Sequence, residues 1–300
     1  MVVKPRGDWR AGKLRCFGFT VHIREAAPRQ DLDTKMKAIV FLGGGRITSA
    51  LAAGLRLAKY RRRIVVYDRH PEKLRALRRE SRIEIARDLS SAVGQAEMLI
   101  VAVRPGSVKE MIHEVARCGA SPPKLCVSLA AGIPFRNLRT WLPAAVHWVR
   151  AMPSPVCRID RGLTPVTFER TVTVSERAQV RQLFEQVGLV LEIPERQMDT
   201  ITATHSPSHG YHALATLARA AESAGLDKKT ALIAAAHALA DGITYWRDSE
   251  LDLDHLLHEA ATPGGIAAAT MAAMDEGGYA RAVTRGLKAG IARAQRNAKL

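Results

Sequence analysis

The chain has 300 residues, of which 47% are hydrophobic and 25% charged, and its formal net charge is +16 at pH 7. The length predicts about two domains, and this ordinary globular composition excludes collagen-like, disordered and disulfide-scaffold proteins. So strong a positive charge suits a protein that binds nucleic acids or phosphorylated ligands, but with 5% aromatic residues nucleic-acid binding is not expected.

Residues 1–35 are rich in charged and loop-forming residues and show no sustained apolar period. They lack the continuous apolar stretch followed by small residues that marks a secretory signal. We therefore expect a disordered N-terminal tail that ends just before the first strand.

Residues 36–198 show short apolar runs separated by segments with helical spacing. The runs that predict strands are residues 37–42, 64–67, 98–103, 125–129 and 146–149. Continuous apolar strands between helices indicate a parallel sheet covered on both faces, which is an α/β, doubly wound architecture. We expect residues 171–174 and 187–193 to be strands that complete this sheet.

Residues 199–300 carry almost no strand signal and are dominated by Ala, Leu and Met. This pattern predicts an all-helical domain after a boundary near residue 198. Its Ala-rich helices offer more apolar surface than one small domain covers internally, which favours a homodimer or a higher homo-oligomer.

A glycine triplet between the first predicted strand and the first predicted helix carries the first chemical signal. Gly43 allows a tight turn, and Gly45 lets the backbone approach a pyrophosphate, which binds to amides at the start of the helix. Arg46 and Ile47 then open that helix, and Thr48 occupies the place where a third Gly or Ala is usual. In this strand–turn–helix context the triplet predicts a Rossmann-type dinucleotide-binding domain over residues 36–198.

The end of the second predicted strand bears on which cofactor is bound. Asp68 follows Gly45 by 23 residues, and an acid at this place typically holds the ribose 2′-hydroxyl of NAD. Arg69 and His70 follow directly, and such cations would instead bind the 2′-phosphate of NADP. We expect NADPH to be preferred, with NAD as the alternative.

Four segments resemble, in the same order, signature motifs of the pyrroline-5-carboxylate reductases. They are Ala102-Val103-Arg104-Pro105-Gly106 (A-V-K-P in the family), Val127-Ser128-Leu129-Ala130-Ala131-Gly132-Ile133 (V-S-I-A-A-G-V), Arg150-Ala151-Met152-Pro153 (R-x-M-P) and Thr262-Pro263-Gly264-Gly265 (S-P-G-G). The resemblance spans residues 37 to about 295. It implies a Rossmann domain followed by a helical dimerisation domain, and NAD(P)H-dependent reduction of a cyclic imine, pyrroline-5-carboxylate, to proline.

The resemblance also implies roles for single residues. The implied cofactor contacts, beyond the glycine turn, Asp68 and Arg69, are Ala102, Val103, Arg104, Pro105, Ala131, Gly132, Met152 and Pro153. The implied substrate contacts are Gly264, Gly265, Ile266 and Ala267, at a helix start whose amides would hold a carboxylate. The candidates for catalytic roles are Thr262 and Tyr211, which match family positions, and His237 and Glu259, which are chosen because such side chains can deliver a proton. The family requires no metal.

Three departures from the family pattern concern the substrate half. Ser154 replaces an asparagine, residues 205–210 depart from the family's S-G-S-G-P-A, and Ala267 replaces a threonine whose hydroxyl the family places near the imine nitrogen. These changes favour another cyclic imine or imino acid as substrate, beside pyrroline-5-carboxylate itself. A hydroxyacid-dehydrogenase-type enzyme and a non-catalytic NADP-binding protein are the alternatives.

The four cysteines, Cys16, Cys118, Cys126 and Cys157, are scattered and form no C-x-x-C pair. This favours a reduced, cytoplasmic protein without a structural zinc. No apolar run reaches the ~18 residues that suggest a membrane span, so no membrane association is expected.

Overall fold

A computed structural model describes residues 13–16, 19–22, 37–143, 145–249 and 251–300. Strands β1 (Lys13–Cys16) and β2 (Phe19–His22) pair as a short antiparallel ribbon. Most of the tail expected over residues 1–35 lies outside the described residues, so its disorder stays a prediction.

The chain divides into two compact units. One comprises Lys35–His209 together with Arg281–Leu300, and the other contains Gly210–Ala280. The first unit therefore extends past residue 198, where the sequence predicts a boundary, and it also takes in the last twenty residues of the chain.

The first unit contains an eight-stranded sheet. Its strands are β3 (Ala38–Leu42), β4 (Ile64–Tyr67), β5 (Glu84–Ile85), β6 (Ala96–Val101), β7 (Leu125–Ser128), β8 (His147–Ala151), β9 (Gly162–Phe168) and β10 (Gly188–Glu192). The spatial order is β10-β9-β8-β7-β6-β3-β4-β5. All neighbours are parallel except β8 and β9, which are antiparallel.

Apolar residues on both faces of the sheet are buried under helices. Ile39 and Phe41 of β3 face one core, and Val40 and Leu42 face the other. Helices α1 (Arg46–Leu57), α2 (Pro71–Glu80) and α6 (Val174–Glu185) cover the first face, whereas α3 (Leu89–Gly94), α4 (Val108–Arg117) and α5 (Phe135–Trp141) cover the second. The doubly wound sheet that continuous apolar strands predict is thus confirmed.

The strand predicted over residues 171–174 is wrong. Thr173 is the N-cap of α6: its hydroxyl accepts a hydrogen bond from the Glu176 amide at 3.3 Å, and its own amide donates to the Glu176 carboxylate at 2.8 Å. This reciprocal capping box fixes a helix start among β-branched residues that also suit a strand. The sequence analysis missed strand β9 instead, since Pro165 interrupts a run that otherwise reads as a buried strand.

From Met198 onward, the described part of the chain forms no strands, only helices. These are α7 (Met198–Thr204), α8 (Ser208–Ser223), α9 (Lys228–Asp248), α10 (Leu253–Ala260), α11 (Ile266–Glu276) and α12 (Tyr279–Asn297). Large apolar side chains of residues 210–280 remain exposed, among them Leu232, Ile233, Ile243 and Ile266. Within the described part of the chain, none of the helices combines the length and the apolar character that crossing a membrane requires.

Candidate functional site

The predicted glycine turn lies where the order of the strands reverses. Strand β3 has β4 on one side and β6 on the other. In doubly wound sheets, ligands bind in the crevice outside the carboxyl ends of the strands at this point of reversal. Gly43 has a φ of +114°, and a Cβ added there would lie 2.8 Å from the carbonyl oxygen of Ala102. The turn therefore requires glycine at Gly43 because the loop after β6 passes directly against it.

The start of α1 beneath this turn is open. Gly45 is the N-cap residue, no side chain caps the helix, and its first turn contains no acid. A Cβ added to Gly45 would meet no atom within 4 Å, and Arg46 is exposed. The backbone amides at this helix start can therefore donate hydrogen bonds to an anionic group such as a diphosphate.

Thr48 has a role that its size alone did not reveal. The residue is fully buried, and its hydroxyl donates a 2.6 Å hydrogen bond to the carbonyl oxygen of Gly43. A threonine in place of the usual third Gly or Ala thus fastens helix α1 to the turn that precedes it.

Both carboxylate oxygens of Asp68 accept hydrogen bonds from the protein itself. The Gly44 amide donates to one oxygen at 2.8 Å, and the His70 amide donates to the other at 2.9 Å. Burial raises the pKa of this carboxyl group, but the hydrogen bonds from Gly44 and His70 outweigh it, so that the pKa is lowered. Arg69 is exposed and lies 3.6 Å from the Glu110 carboxylate. Asp68 thus holds the turn in place, whereas Arg69 faces solvent.

The loops after β6 and β7 adjoin the same crevice. Ala102 donates its amide hydrogen to the Leu42 carbonyl at 2.8 Å, and Arg104 is the exposed N-cap of a 3-10 turn over Pro105–Ser107. Val103 lies beside Gly43: its Cγ1 is 3.1 Å from the position of a Cβ on that glycine.

Ala131 and Gly132 contact the C-terminal end of α12. Asn297 donates from its side-chain amide to the Ala131 carbonyl at 3.0 Å. Gly132 has a φ of +75°, and a Cβ there would lie 1.9 Å from the carbonyl oxygen of Ala294. Sequence reasoning missed Asn297, because nothing local indicates that it reaches a loop 166 residues earlier.

Met152 and Ser154, at the end of β8, are also held by the first unit. The Met152 carbonyl lies 2.9 Å from Nε2 of His205, whose Nδ1 lies 2.7 Å from the Ile201 carbonyl. Ser154 is buried and its hydroxyl accepts from the Val156 amide at 3.4 Å. Both His205 and Ser154, two of the departures from the family pattern, thus make contacts within the first unit that fix the segment around Pro153.

A buried arginine supports these loops from below. Arg150 is 4% exposed and donates to the Glu195 carboxylate at 3.1 Å, with Asp199 at 3.6 Å. The same Glu195 oxygen accepts from the Phe135 amide at 2.8 Å, at the start of α5. Removing both acids would leave the buried guanidinium group of Arg150 without a counterpart, which is strongly destabilising. The R-x-M-P motif contains Arg150, but only the fold reveals its partners.

The second unit holds the predicted substrate segment. Gly264 has a φ of +74° and Gly265 donates its amide hydrogen to the Thr262 carbonyl at 2.9 Å, which closes a turn before α11. Helix α11 has no side-chain cap and no acid in its first turn. Ile266 is 88% exposed and Ala267 follows it in the helix. This start is therefore also suited to an anion, here a carboxylate.

Two predicted catalytic side chains pair with neighbours on their own helices. His237 Nδ1 lies 2.7 Å from the Asp241 carboxylate, and Glu259 lies 3.4 Å from His255. Tyr211 is 67% exposed. Among the described residues, no hydrogen bond or ion pair joins Thr262, Glu259, His237 and Tyr211 to one another, so their catalytic roles stay predictions.

Comparisons with known proteins cover both halves of the chain. Residues 38–132 match the family model described as NADP oxidoreductase coenzyme F420-dependent. Residues 195–297 match the model described as pyrroline-5-carboxylate reductase dimerisation. A pyrroline-5-carboxylate reductase of Mycobacterium tuberculosis is 28% identical over 285 residues, which cover 87% of this chain and 96% of the relative.

Solved structures share the fold. A 1-pyrroline-5-carboxylate reductase from Streptococcus pyogenes matches with a TM-score of 0.79 and 21% identity, over 87% of this chain and 99% of that one. A pyrroline carboxylate reductase of Plasmodium falciparum, solved with NADP bound, matches with a TM-score of 0.78 and 18% identity, over 87% and 98% of the two chains. These likenesses cover the sheet and the helical region alike.

Proposed function

We propose that the chain is a member of the pyrroline-5-carboxylate reductase family and an NAD(P)H-dependent reductase of a cyclic imine, which the matches to a pyrroline-5-carboxylate reductase dimerisation model and to named reductases support. The observation that carries the proposal is the uncapped start of α1 beneath a glycine turn, at the point where the strand order reverses. The cofactor, when bound, supplies the hydride that reduces the C=N carbon.

The residues of the first unit fit a dinucleotide. Gly43 and Gly45 keep the turn free of side chains, and the amides of Arg46 and Ile47 bind the diphosphate. The loop segments around Ala102, Gly132 and Pro153 supply the remaining contacts.

The surroundings of Asp68 favour NADPH over NADH. Its two oxygens are occupied by the Gly44 and His70 amides, so a ribose 2′-hydroxyl would have to compete with these bonds. Arg69 carries an exposed guanidinium group next to it, and such a group suits a 2′-phosphate. NADH remains the second cofactor in the proposal.

The residues of the second unit would bind the substrate. The amides of Gly265, Ile266 and Ala267, at the start of α11, hold a carboxylate of the imine. Thr262 contributes a hydroxyl close to Gly265. A protonated imine accepts hydride most readily, and His237, Glu259 and Tyr211 are the groups proposed to hold or deliver that proton.

Two substrates are compatible with this site. One is pyrroline-5-carboxylate, on which the named relatives act, and the product is then proline. The other is a different cyclic imine or imino acid, favoured by Ala267 in place of a hydroxyl-bearing residue. In either case we propose a homodimer or larger assembly, which the match to a dimerisation model supports.

The test is oxidation of NADPH, followed by its absorbance, with pyrroline-5-carboxylate and a panel of other cyclic imines. We expect turnover with at least one imine, and a lower KM for NADPH than for NADH. Failure of every imine to oxidise either cofactor, with cofactor binding intact, would favour a non-catalytic NADP-binding protein.

A further inference from the structure

Helix α2 and strand β5 border a surface cavity of about 410 Å³, lined by Arg75, Arg78, Arg79 and Ile85. Strand β5 is the edge strand of the sheet and lies two positions from β3, whose end carries the glycine turn. The opposite face of α2 is buried in the core through Leu74 and Leu77, so the arginines stand on a fixed support.

The three arginines are neighbours on one helix face. Arg75 precedes Arg78 by three residues and Arg79 by four, which are the spacings at which helix side chains meet and like charges repel. In the described part of the chain, no acid forms an ion pair with any of them. The last turn of a helix favours cations, which accounts for Arg78 and Arg79 but not for Arg75.

Within the residues that the structure describes, the acids nearest in sequence to the cavity residues form no ion pair with the three arginines. Glu84, next to Ile85 in β5, accepts two hydrogen bonds from Arg63, at 3.0 and 2.6 Å. Glu72 and Glu80 belong to α2 itself, and both are exposed. The cavity therefore carries a concentrated positive charge, and no acid among the described residues is paired with it.

We propose that this cavity binds a small phosphorylated molecule of about nucleotide size, at a site separate from the cofactor crevice. Guanidinium groups bind phosphate oxygens through paired, charge-assisted hydrogen bonds. Ile85 and the aliphatic parts of the arginines provide an apolar floor for an organic group. The volume lies in the range of about 300–1,000 Å³ that is usual for small-molecule sites.

The experiment uses the full-length protein saturated with NADPH, so that the cofactor crevice is filled. Inorganic tripolyphosphate is titrated by calorimetry into the unmodified protein and into Arg75→Gln/Arg79→Gln. The matched control is Arg136→Gln/Arg170→Gln, which removes the same charge from two exposed arginines elsewhere on the first unit. We expect saturable binding to the unmodified protein and the control, and at least tenfold weaker binding to the cavity variant.

Three outcomes would overturn the proposal. The first is absence of saturable binding to the unmodified protein, and the second is equal weakening in both double variants, which would indicate general charge attraction. The third is tighter binding of a single-stranded oligonucleotide than of tripolyphosphate, which would indicate a nucleic-acid surface. The single variant Arg78→Gln provides the same comparison if the double variant does not fold.

Discussion

Two glycines of the same turn differ in what they do, and this separates folding from cofactor binding at the scale of single residues. Gly43 is required by the backbone, since it has a positive φ and touches the loop after β6, whereas a side chain on Gly45 would enter open space. We expect Gly45→Val to fold with an unchanged melting temperature but to show no measurable NADPH binding, because valine would occupy the place of the pyrophosphate.

The matched variant is Gly43→Ala, which should unfold more easily. Forcing alanine into a left-handed conformation costs about 1–2 kcal/mol, and the contact with Ala102 adds to this. Fluorescence titration and thermal unfolding of both variants check the pair. Full cofactor affinity in Gly45→Val would contradict the assignment of the turn to the pyrophosphate.

Asp68 should make the stability of the protein depend on pH at the acidic end. Its pKa in the folded state is lowered from 3.8, so its charged form stabilises the fold above that value. This stabilisation is lost as the pH falls through the lowered pKa of the folded state. We expect Asp68→Asn to lower the melting temperature at pH 6 and the difference from the unmodified protein to shrink below about pH 4. A difference that stays constant down to pH 3 would rule out this role.

Ala267 bears on the choice of substrate. A hydrogen bond to a charged group contributes roughly 1.5–3 kcal/mol, which corresponds to about one to two decades in rate. We expect Ala267→Thr to raise kcat/KM for pyrroline-5-carboxylate by about that factor and to lower it for the natural imine. Ala268→Thr, one position along the same helix, is the control for added bulk. If both variants behave alike, the missing hydroxyl at residue 267 is unimportant.

At the scale of elements, local signals located most of the sheet but not every boundary. The runs that became β3, β4, β6 and β7 are largely continuous and apolar, because both faces of the sheet are buried there. The apolar residues of β8 and β10 also sufficed to locate these strands, although β10 is an edge strand with Leu189 41% exposed. The strand predicted over residues 171–174 was wrong because its β-branched residues suit a strand. The spacing of Thr173 and Glu176, three residues apart, is the sequence signal that marks the helix start instead. Strand β9 was missed because Pro165 interrupts its apolar run. Pro165 is in register with Leu191 of β10, and it lies one residue before the pairing with β8 begins at Val166.

The capping box of α6 offers a direct test. Thr173→Ala removes an N-cap hydroxyl, which typically costs about 1 kcal/mol and should lower the melting temperature by roughly 2–4 °C. Thr171→Ala, also exposed but outside the cap, should change it by less than half as much. Equal shifts in calorimetric unfolding of the two variants would show that the cap contributes nothing of its own.

The residues of the candidate site also divide into those that the local sequence predicts and those that only the fold reveals. The glycine turn and Asp68 are recognisable because their chemistry lies within one strand–turn–helix unit. Asn297, Glu195 and Asp199 escaped notice because each acts on a segment 45 or more residues away. No periodicity or motif records such a contact.

At the scale of the whole molecule, exposed apolar helices predict self-association. Leu232 and Ile233 are each 50% exposed on α9, and such residues are commonly covered by a second subunit. Light scattering should give at least twice the chain mass of 32.8 kDa. We expect Leu232→Asp/Ile233→Asp to lower the mass, whereas Leu57→Asp, which is 60% exposed on α1, should not. A fully active monomer would contradict the proposed assembly.

Because residues 281–300 belong to the first unit, this unit cannot complete its folding until they have been synthesised. The Ala131–Gly132 loop finds its partners, Ala294 and Asn297, only after about 160 intervening residues have been made. At ~5–20 residues per second, this takes roughly 8–32 seconds, during which the Ala131–Gly132 loop lacks its contacts with α12. Completion of the cofactor half therefore waits for residues 281–300, and a nascent chain cut after His209 should not acquire a finished crevice.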